Sequence, residues 1–246
     1  MKKCVIFLWV ILLCVPALAQ YPSGKEILEK VDANMTSKNR VLTSKMIVHG
    51  RRGDRTIGAK TWAVGESDAF TEYLYPQREK GTKMLKQEDQ LWIYSPDTDR
   101  TIQIAGHMLR QSVMGSDMSY EDMMEDPTLT DKYMADVEGN ETIADRECWV
   151  LNLTAKVEDV NYYKRKLWID TERYIPVKED LFAESGKLLK RTTLSNVKKI
   201  EGRWFPMKIV FKDMLKKGDG TEFIIEEIGF NVEIPEYLMT KASLRK

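Results

Sequence analysis

From Arg40 onward the sequence consists almost entirely of short strand-like runs separated by turns. In the first run Leu42, Ser44, Met46 and Val48 alternate with residues of the opposite face, which is the two-residue period of a half-buried strand. Regular short strands with hairpin turns predict one large antiparallel sheet, and a sheet of about 11–13 strands must curl or close. Further strands are predicted at residues 56–64, 69–75, 83–86, 91–94, 100–104, 132–142, 148–154, 163–169, 177–183, 188–200, 204–214 and 221–231.

A helix is predicted in front of the first strand. Ser23 and Glu26 have the spacing of a capping box, in which the serine accepts from an early backbone N–H and the glutamate accepts from the serine's own N–H. The apolar face of this helix consists of Ile27, Leu28, Val31 and Met35. Such a face needs a sheet beneath it.

Residues 106–124, called here the methionine-rich segment, interrupt the strand pattern. A short helix is predicted over residues 120–125, capped by Ser116, Asp117 or Ser119. Methionine is flexible and polarizable, so it fills irregular cores and also lines surfaces that accommodate apolar ligands of varied shape. Both roles, packing onto the sheet and contact with a ligand, are open from the residues alone. The methionines of this segment are Met108, Met114, Met118, Met123 and Met124.

The fold class follows from these patterns. The chain is predicted to be mainly β, with a strongly curved antiparallel sheet that forms a half or incomplete barrel. The N-terminal helix and the short mid-chain helix are expected on its concave side. No linker, low-complexity tract or internal repeat divides residues 20–246, so a single domain is expected there.

Three runs in the middle of the chain carry a resemblance to a known family. They are Gly81-Thr82 followed by Leu85, the run LWIYSP at 91–96, and the run MGSDMSYED at 114–122. These runs resemble the outer-membrane lipoprotein-sorting family, the LolA-like periplasmic carriers. The similarity covers most of residues 20–246.

The resemblance implies a periplasmic protein that holds the acyl chains of a lipoprotein, or of another lipid, inside the half barrel and transfers them toward the outer membrane. The two helical pieces would form a lid. The implied partners are an inner-membrane releasing complex or an exporter, and an outer-membrane acceptor, with the carrier itself a monomer. Two alternatives stay open: a lipid-sensing envelope-stress regulatory module, and a carrier of a non-lipoprotein lipid that serves an exporter.

Candidate site residues follow from the resemblance and from the apolar pattern. Gly115, Ser116 and Asp117 precede the predicted helix and are the candidate lid hinge. Tryptophan suits cores and apolar pockets alike, so the strand tryptophans are included. The candidate lipid contacts are Met84, Trp92, Met108, Leu109, Val113, Met114, Met118, Met123, Met124, Trp149, Leu151 and Leu153.

The N-terminus has the pattern of a secretory signal peptide. Lys2 and Lys3 precede an apolar run at 4–15 and a small-residue site that ends at Ala19. The run is shorter than the ~20 residues of a membrane span, so cleavage after Ala19 is expected in preference to a retained anchor. Acylation of Cys14 is not expected, because Leu13 stands where a small residue is needed.

Composition and spacing give no sign of catalytic or nucleic-acid chemistry. The 38 Lys and Arg residues balance 38 Asp and Glu residues, and the basic ones are scattered rather than gathered in a stripe, so nucleic acid is not an expected partner. His49, His107 and Cys148 lack further ligands at metal-binding spacing. The acidic residues within 117–126 are interpreted as helix capping. No nucleophile motif or nucleotide fingerprint is present, so neither an enzymatic activity nor a cofactor is expected.

Overall fold

The structure is a computed structural model that describes residues 21–50 and 53–245. The signal peptide predicted at residues 1–19 lies outside the described residues. Within them the α-helices are α1 (Gly24–Met35) and α2 (Tyr120–Met124), and 3₁₀ helices lie at Gly106–Arg110, Val113–Gly115, Glu236–Met239 and Lys241–Arg245. None of the helices in these ranges combines the length and apolar character that crossing a membrane requires.

The described ranges contain thirteen strands, all in one antiparallel sheet, which confirms the predicted fold class. Their order across the sheet is β6-β5-β4-β3-β2-β1-β13-β12-β11-β10-β9-β8-β7. The strands are β1 (Asn39–Val48), β2 (Arg55–Val64), β3 (Asp68–Tyr75), β4 (Lys83–Gln87), β5 (Gln90–Ser95), β6 (Arg100–Ile104), β7 (Tyr133–Ile143), β8 (Arg146–Ala155), β9 (Lys164–Asp170), β10 (Pro176–Phe182), β11 (Leu188–Ile200), β12 (Arg203–Asp213) and β13 (Thr221–Phe230).

The order of the strands decides where the methionine-rich segment lies. Strands β6 and β7 are consecutive in the chain, but they lie at opposite edges of the sheet. In a flat sheet of this width the edges would be about 58 Å apart, because neighbouring strands are ~4.8 Å apart. The connection between β6 and β7 therefore crosses one whole face of the curved sheet. We call that face the inner face.

The predicted capping box starts α1. The N–H of Glu26 donates to Ser23 Oγ at 3.2 Å, and the N–H of Ser23 donates to Glu26 Oε2 at 2.8 Å. At Gly24 the helix meets β7 so closely that a Cβ would lie 2.2 Å from the carbonyl oxygen of Ala135. A glycine at this position therefore allows the helix to reach the sheet.

The helix α1 covers the inner face over β7 to β9. Its predicted apolar face is buried there, since Ile27, Leu28 and Val31 are each at most 2% exposed. Burial of three aliphatic side chains of this kind contributes about 1.5–3 kcal/mol each. Their partners from the sheet are Trp149, Leu151, Leu153, Leu167 and Ile169.

Asp32 joins α1 to the far end of the connection between β6 and β7. Its buried carboxylate accepts hydrogen bonds from the N–H groups of Leu129 and Thr130, each at 3.0 Å, and from the Thr130 hydroxyl at 2.6 Å. Hydrogen bonds to a charged group are stronger than those between neutral groups. The connection is thereby fixed to the helix just before β7 begins.

Replacing Asp32 by alanine leaves two backbone N–H groups without acceptors, one of them on the buried Leu129. We expect the free energy of unfolding, measured by urea denaturation at pH 7, to fall by about 2–4 kcal/mol. Lys25→Ala on the solvent side of the same helix is the control and should change it by less than ~0.5 kcal/mol. An Asp32→Ala protein as stable as the control would show that this link does not hold the connection.

Candidate functional site

A cavity of about 260 Å³ lies between the inner face of the sheet and the methionine-rich segment. The segment contributes Val113, Met118 and Met123 to its lining. Polar and charged side chains also contribute to the lining. The apolar side chains contributed by the strands are Leu42, Met46, Ile57, Ala59, Ala63, Ala69, Met84, Leu91, Ile209, Phe211 and Phe223.

The cavity exists because small side chains occupy inner-face positions on β2 and β3. Ala63 pairs with Ala69 across these strands, and Thr61 pairs with Thr71. The two threonine hydroxyls hydrogen-bond to each other at 2.9 Å, so they satisfy one another inside the apolar surroundings. Larger aliphatic side chains at these positions would fill the space, as they do elsewhere in the core.

The structure brings together most of the candidate lipid contacts in the first half of the sheet. Four of them, Met84, Val113, Met118 and Met123, line the cavity itself. Four others pack on the same core of β1 to β6 without lining it: Met108, Leu109, Met114 and Met124. Their contact with a lipid remains a prediction.

The other four candidates lie away from the cavity. Trp92 is on the outer face of β5, where Leu244 of the C-terminal 3₁₀ helix packs against it and Lys241 lies 3.8 Å above its ring. Since Trp92 alternates with Leu91, only one of the two can face inward. The remaining three are on the inner face but are covered by α1: Trp149, Leu151 and Leu153.

The helix α2 forms as predicted, and Ser119 is its cap. The N–H of Asp122 donates to Ser119 Oγ at 3.2 Å, and Asp122 Oδ2 accepts from the N–H of Ser119 at 2.6 Å. Of the three predicted caps, the structure therefore selects the last. The helix ends at Met124, one residue before the predicted end.

Asp122 also anchors α2 to the second half of the sheet. Its carboxylate accepts from the ammonium group of Lys190 on β11 and from the hydroxyl of Tyr162. Burial alone would raise the pKa of Asp122, but Lys190, Tyr162 and the N–H of Ser119 hold this pKa below its ordinary value of 3.8. The carboxylate is therefore charged at neutral pH.

A second ionic anchor follows immediately after α2. Glu125 pairs with Arg165 of β9, which is only 5% exposed and also pairs with Glu179 of β10 at 2.9 Å. Burial raises the pKa of Glu125, and the neighbouring Glu179 and Asp122 add to this rise, while Arg165 opposes it. The methionines of the segment thus pack on β1 to β6, while Asp122 and Glu125 pair with side chains of β9 and β11.

The candidate hinge is held by contacts on both sides. Arg55 of β2 donates to the carbonyl oxygen of Met114 at 2.7 Å, and the N–H of Asp117 donates to Thr221 Oγ1 at 3.0 Å. Ser116 is buried, and its carbonyl oxygen accepts from Lys216 at 3.2 Å. Gly115 has a φ of 75°, a left-handed conformation that suits glycine. A hinge motion here has to break these hydrogen bonds, and it remains a prediction.

The fold is similar to those of several solved structures, among them the following three. A domain described as an outer membrane lipoprotein-sorting protein, from Vibrio parahaemolyticus, has a TM-score of 0.78 and 22% identity over 91% of this chain and 98% of that one. A DUF1329 family protein from Desulfovibrio piger has a TM-score of 0.81 and 21% identity over 90% and 97% of the chains. A LolA superfamily protein from Nitrosomonas europaea has a TM-score of 0.74 and 22% identity over 91% and 100%. This chain has the LolA-like fold.

A family model described as "Uncharacterized protein" matches residues 65–246, which is more than half of the chain. The chain belongs to that family. No curated protein matches it. The expectation of a LolA-like half barrel, drawn from the runs at 91–96 and 114–122, is thus confirmed at the level of the fold.

The ionic anchors at Asp122 and Glu125 are not among the candidate site residues that the sequence indicates. A signal for one of them was present, because Arg165 alternates on β9 in phase with Leu167 and Ile169, whose side chains are buried. That phase predicts an inward-facing arginine, and an arginine that is buried needs a carboxylate partner. Nothing in the sequence indicated that the partner is Glu125.

The described part of the chain shows no group of three or more His, Cys, Asp or Glu side chains arranged to hold a metal ion. Cys148 is buried on the outer-facing side of β8 beside Val150 and Trp168. Burial raises the pKa of its thiol to about 11. A thiol with such a pKa is a poor nucleophile at neutral pH.

The lowered pKa of Asp122 predicts a pH-dependent stability. The charged carboxylate stabilises the folded state above its ordinary pKa of 3.8, and this contribution is lost as the pH falls through the lower folded value. We expect Asp122→Asn to lower the free energy of unfolding at pH 7 by about 3 kcal/mol, since it leaves the partly buried Lys190 without its charge partner. The difference in unfolding free energy between Asp122→Asn and the unmodified protein, measured by urea denaturation, should become smaller as the pH falls below 3.8.

Asp97→Asn, at an exposed position in the turn between β5 and β6, is the matched control. It makes the same chemical change without a buried partner, so its unfolding free energy should stay within ~0.5 kcal/mol of the unmodified protein at every pH. A difference for Asp122→Asn that is absent at pH 7, or that does not change with pH, would contradict the assignment of Asp122 as a charged anchor.

Proposed function

We propose that the protein is a carrier that binds the acyl chains of a lipoprotein, or of another lipid, in the cavity beneath the methionine-rich segment. The observation that carries this proposal is the cavity itself, a largely apolar space that the side chains of the sheet and of the segment leave open beneath Met118 and Met123. Atoms that line an empty space lose dispersion contacts, so a core that serves only stability is normally filled. An acyl chain would restore those contacts.

The magnitude of the hydrophobic effect supports an acyl ligand. Each methylene group removed from water contributes about 0.8 kcal/mol. Burial of about ten methylene groups therefore corresponds to the ~8.2 kcal/mol of micromolar binding. Methionine side chains can adopt several packings at little cost, which suits chains of different length and saturation. The binding makes and breaks no covalent bond, and the carrier therefore needs no catalytic group.

The size of the cavity requires the segment to move. The cavity of about 260 Å³ is just below the ~300–1,000 Å³ of typical small-molecule sites. A complete acyl chain therefore needs the roof to lift away from β1 to β5. The methionines would then line a wider groove, with the ionic anchors at Asp122 and Glu125 as the points that hold or release the segment.

Transfer of the cargo depends on an acceptor. A carrier without a nucleotide site has no energy source of its own, so release follows from tighter binding of the chains elsewhere. In this proposal the acceptor lies at the outer membrane, and the donor is an inner-membrane releasing complex or an exporter. The LolA-like fold of the lipoprotein-sorting structures supports this route, and the carrier works as a monomer in the periplasm.

The role of the methionines can be tested by polar replacement. We expect Met118→Gln and Met123→Gln to weaken the binding of a fluorescent fatty-acyl probe about tenfold, because a buried amide costs ~1–3 kcal/mol. The thermal midpoint should fall by only a few degrees, since a roof that opens is a low-stability element. Met134→Gln on β7 is the control, because Met134 is 58% exposed and should affect neither measurement.

Probe binding and the thermal midpoint together distinguish methionines that contact a ligand from methionines that only pack the core. Variants that melt early and yet bind the probe as well as the unmodified protein would show that the methionines only pack the segment onto the sheet. Failure of the unmodified protein to bind any acyl probe would refute the carrier.

Export is the second element of the proposal. We expect the mature protein to begin at Gln20 after cleavage behind Ala19, because the small-residue site stands there and the apolar run at 4–15 is short. Intact-mass measurement of protein purified from the periplasm tests this directly. Retention of Met1, or an acyl mass on Cys14, would overturn it.

A further inference from the structure

A second, polar chamber of about 620 Å³ lies beside the apolar cavity. Three side chains line both spaces: Glu66, Lys86 and Glu125. The apolar cavity is therefore one compartment of a two-part site. A space that is apolar at one end and polar at the other matches an amphiphile, with its acyl chain in the first compartment and its head group in the second.

The polar chamber carries an excess of negative charge. Two of its carboxylates have ion-pair partners, because Glu66 pairs with Arg40 at 3.2 Å and Glu125 pairs with Arg165. Within the described residues its other carboxylates form no ion pair, and Lys86 and Lys132 are the cationic side chains that the chamber presents against them. These carboxylates belong to Glu88, Asp89, Glu121, Asp126 and Asp159.

The position of Lys86 divides the two compartments. Its ammonium group donates to the carbonyl oxygen of Glu66 at 2.9 Å, which leaves donors for a ligand at the boundary. A polar group attached directly to the acyl chain meets this lysine first. Groups further along the ligand meet the carboxylates of the polar chamber. The electrostatic field of these carboxylates is strengthened by the low-dielectric protein beside them.

We infer that the site selects amphiphiles whose head group ends in an ammonium group over those with the same acyl chain and a head group of net negative charge. This inference rests on the carrier function proposed above and names the class of its cargo. Two sources share the chemistry: a phospholipid with an amino head group, and a diacylated peptide with a free terminal amine.

Competition against a fluorescent fatty-acyl probe tests the inference with two matched pairs of ligands. Lysophosphatidylethanolamine and lysophosphatidylglycerol share the acyl chain and phosphate and differ in the ammonium group. A diacylglyceryl-cysteine peptide with a free amino terminus and its acetylated form make the second pair. We expect the ammonium member to bind about tenfold more tightly in at least one pair, and the pair that shows the preference identifies the source.

The charge origin of the preference is tested by replacing Glu121, Asp126 and Asp159 with Gln, Asn and Asn. The preference should fall to about twofold or less, and high salt should reduce it in the unmodified protein, because the screening length shortens from ~10 Å at 0.1 M to ~3 Å at 1 M. The control replaces three exposed acids outside the chamber, Asp97, Glu184 and Glu236, by their amides and should keep the tenfold preference.

The outcomes separate this inference from the carrier function. If the fatty-acyl probe does not bind, the carrier itself is refuted. If the probe binds but the two members of each pair compete equally, or the preference survives neutralisation of the chamber, the carrier stands and the selection by charge is overturned.

Discussion

The structure depends on the long connection between β6 and β7, which the order of the strands forces to cross the sheet. Two meanders meet at β1 and β13, so β6 and β7 end up at opposite edges, and the chain between them must pass over the inner face. A connection in that position covers apolar strands. The side of the connection that faces the sheet therefore has to be apolar and to pack well along an irregular backbone. Methionine side chains meet both requirements.

Charged side chains, together with apolar packing, hold the part of this connection that contains α2. Buried ion pairs contribute little net stability, because the cost of removing the charges from water offsets their attraction. They do define position, since a carboxylate without its partner is strongly disfavoured. Asp122 and Glu125 thus hold the segment in one place. In the proposed opening, water would solvate both charges once the contacts break, so the ion pairs would add only modestly to its free-energy cost.

The cavity and its charged chamber arise from different features of the same strands. Small side chains on β2 and β3 leave the apolar space open. The β2–β3 and β4–β5 turns, the end of the segment and the β8–β9 connection supply the carboxylates beside it. The two compartments meet at Lys86. An amphiphile placed along this axis would bury its chain and keep its polar end in water, the arrangement that the hydrophobic effect and the cost of burying charge both favour.

The sequence by itself determined the strands, the capped helix α1, the short helix after Ser119 and the curvature of the sheet, because each depends on local periodicity, capping or strand number. The sequence also identified the methionine-rich segment as the unusual element. The tertiary structure decided which methionines line the cavity. It also decided that Trp92 faces outward while Trp149 lies beneath α1. The partners of Asp122 and Glu125 were decided there as well. The physical reason is that local patterns fix the alternation of side chains along one strand, whereas the face that is covered, and by what, depends on contacts between residues such as Glu125 and Arg165 that are far apart in the chain.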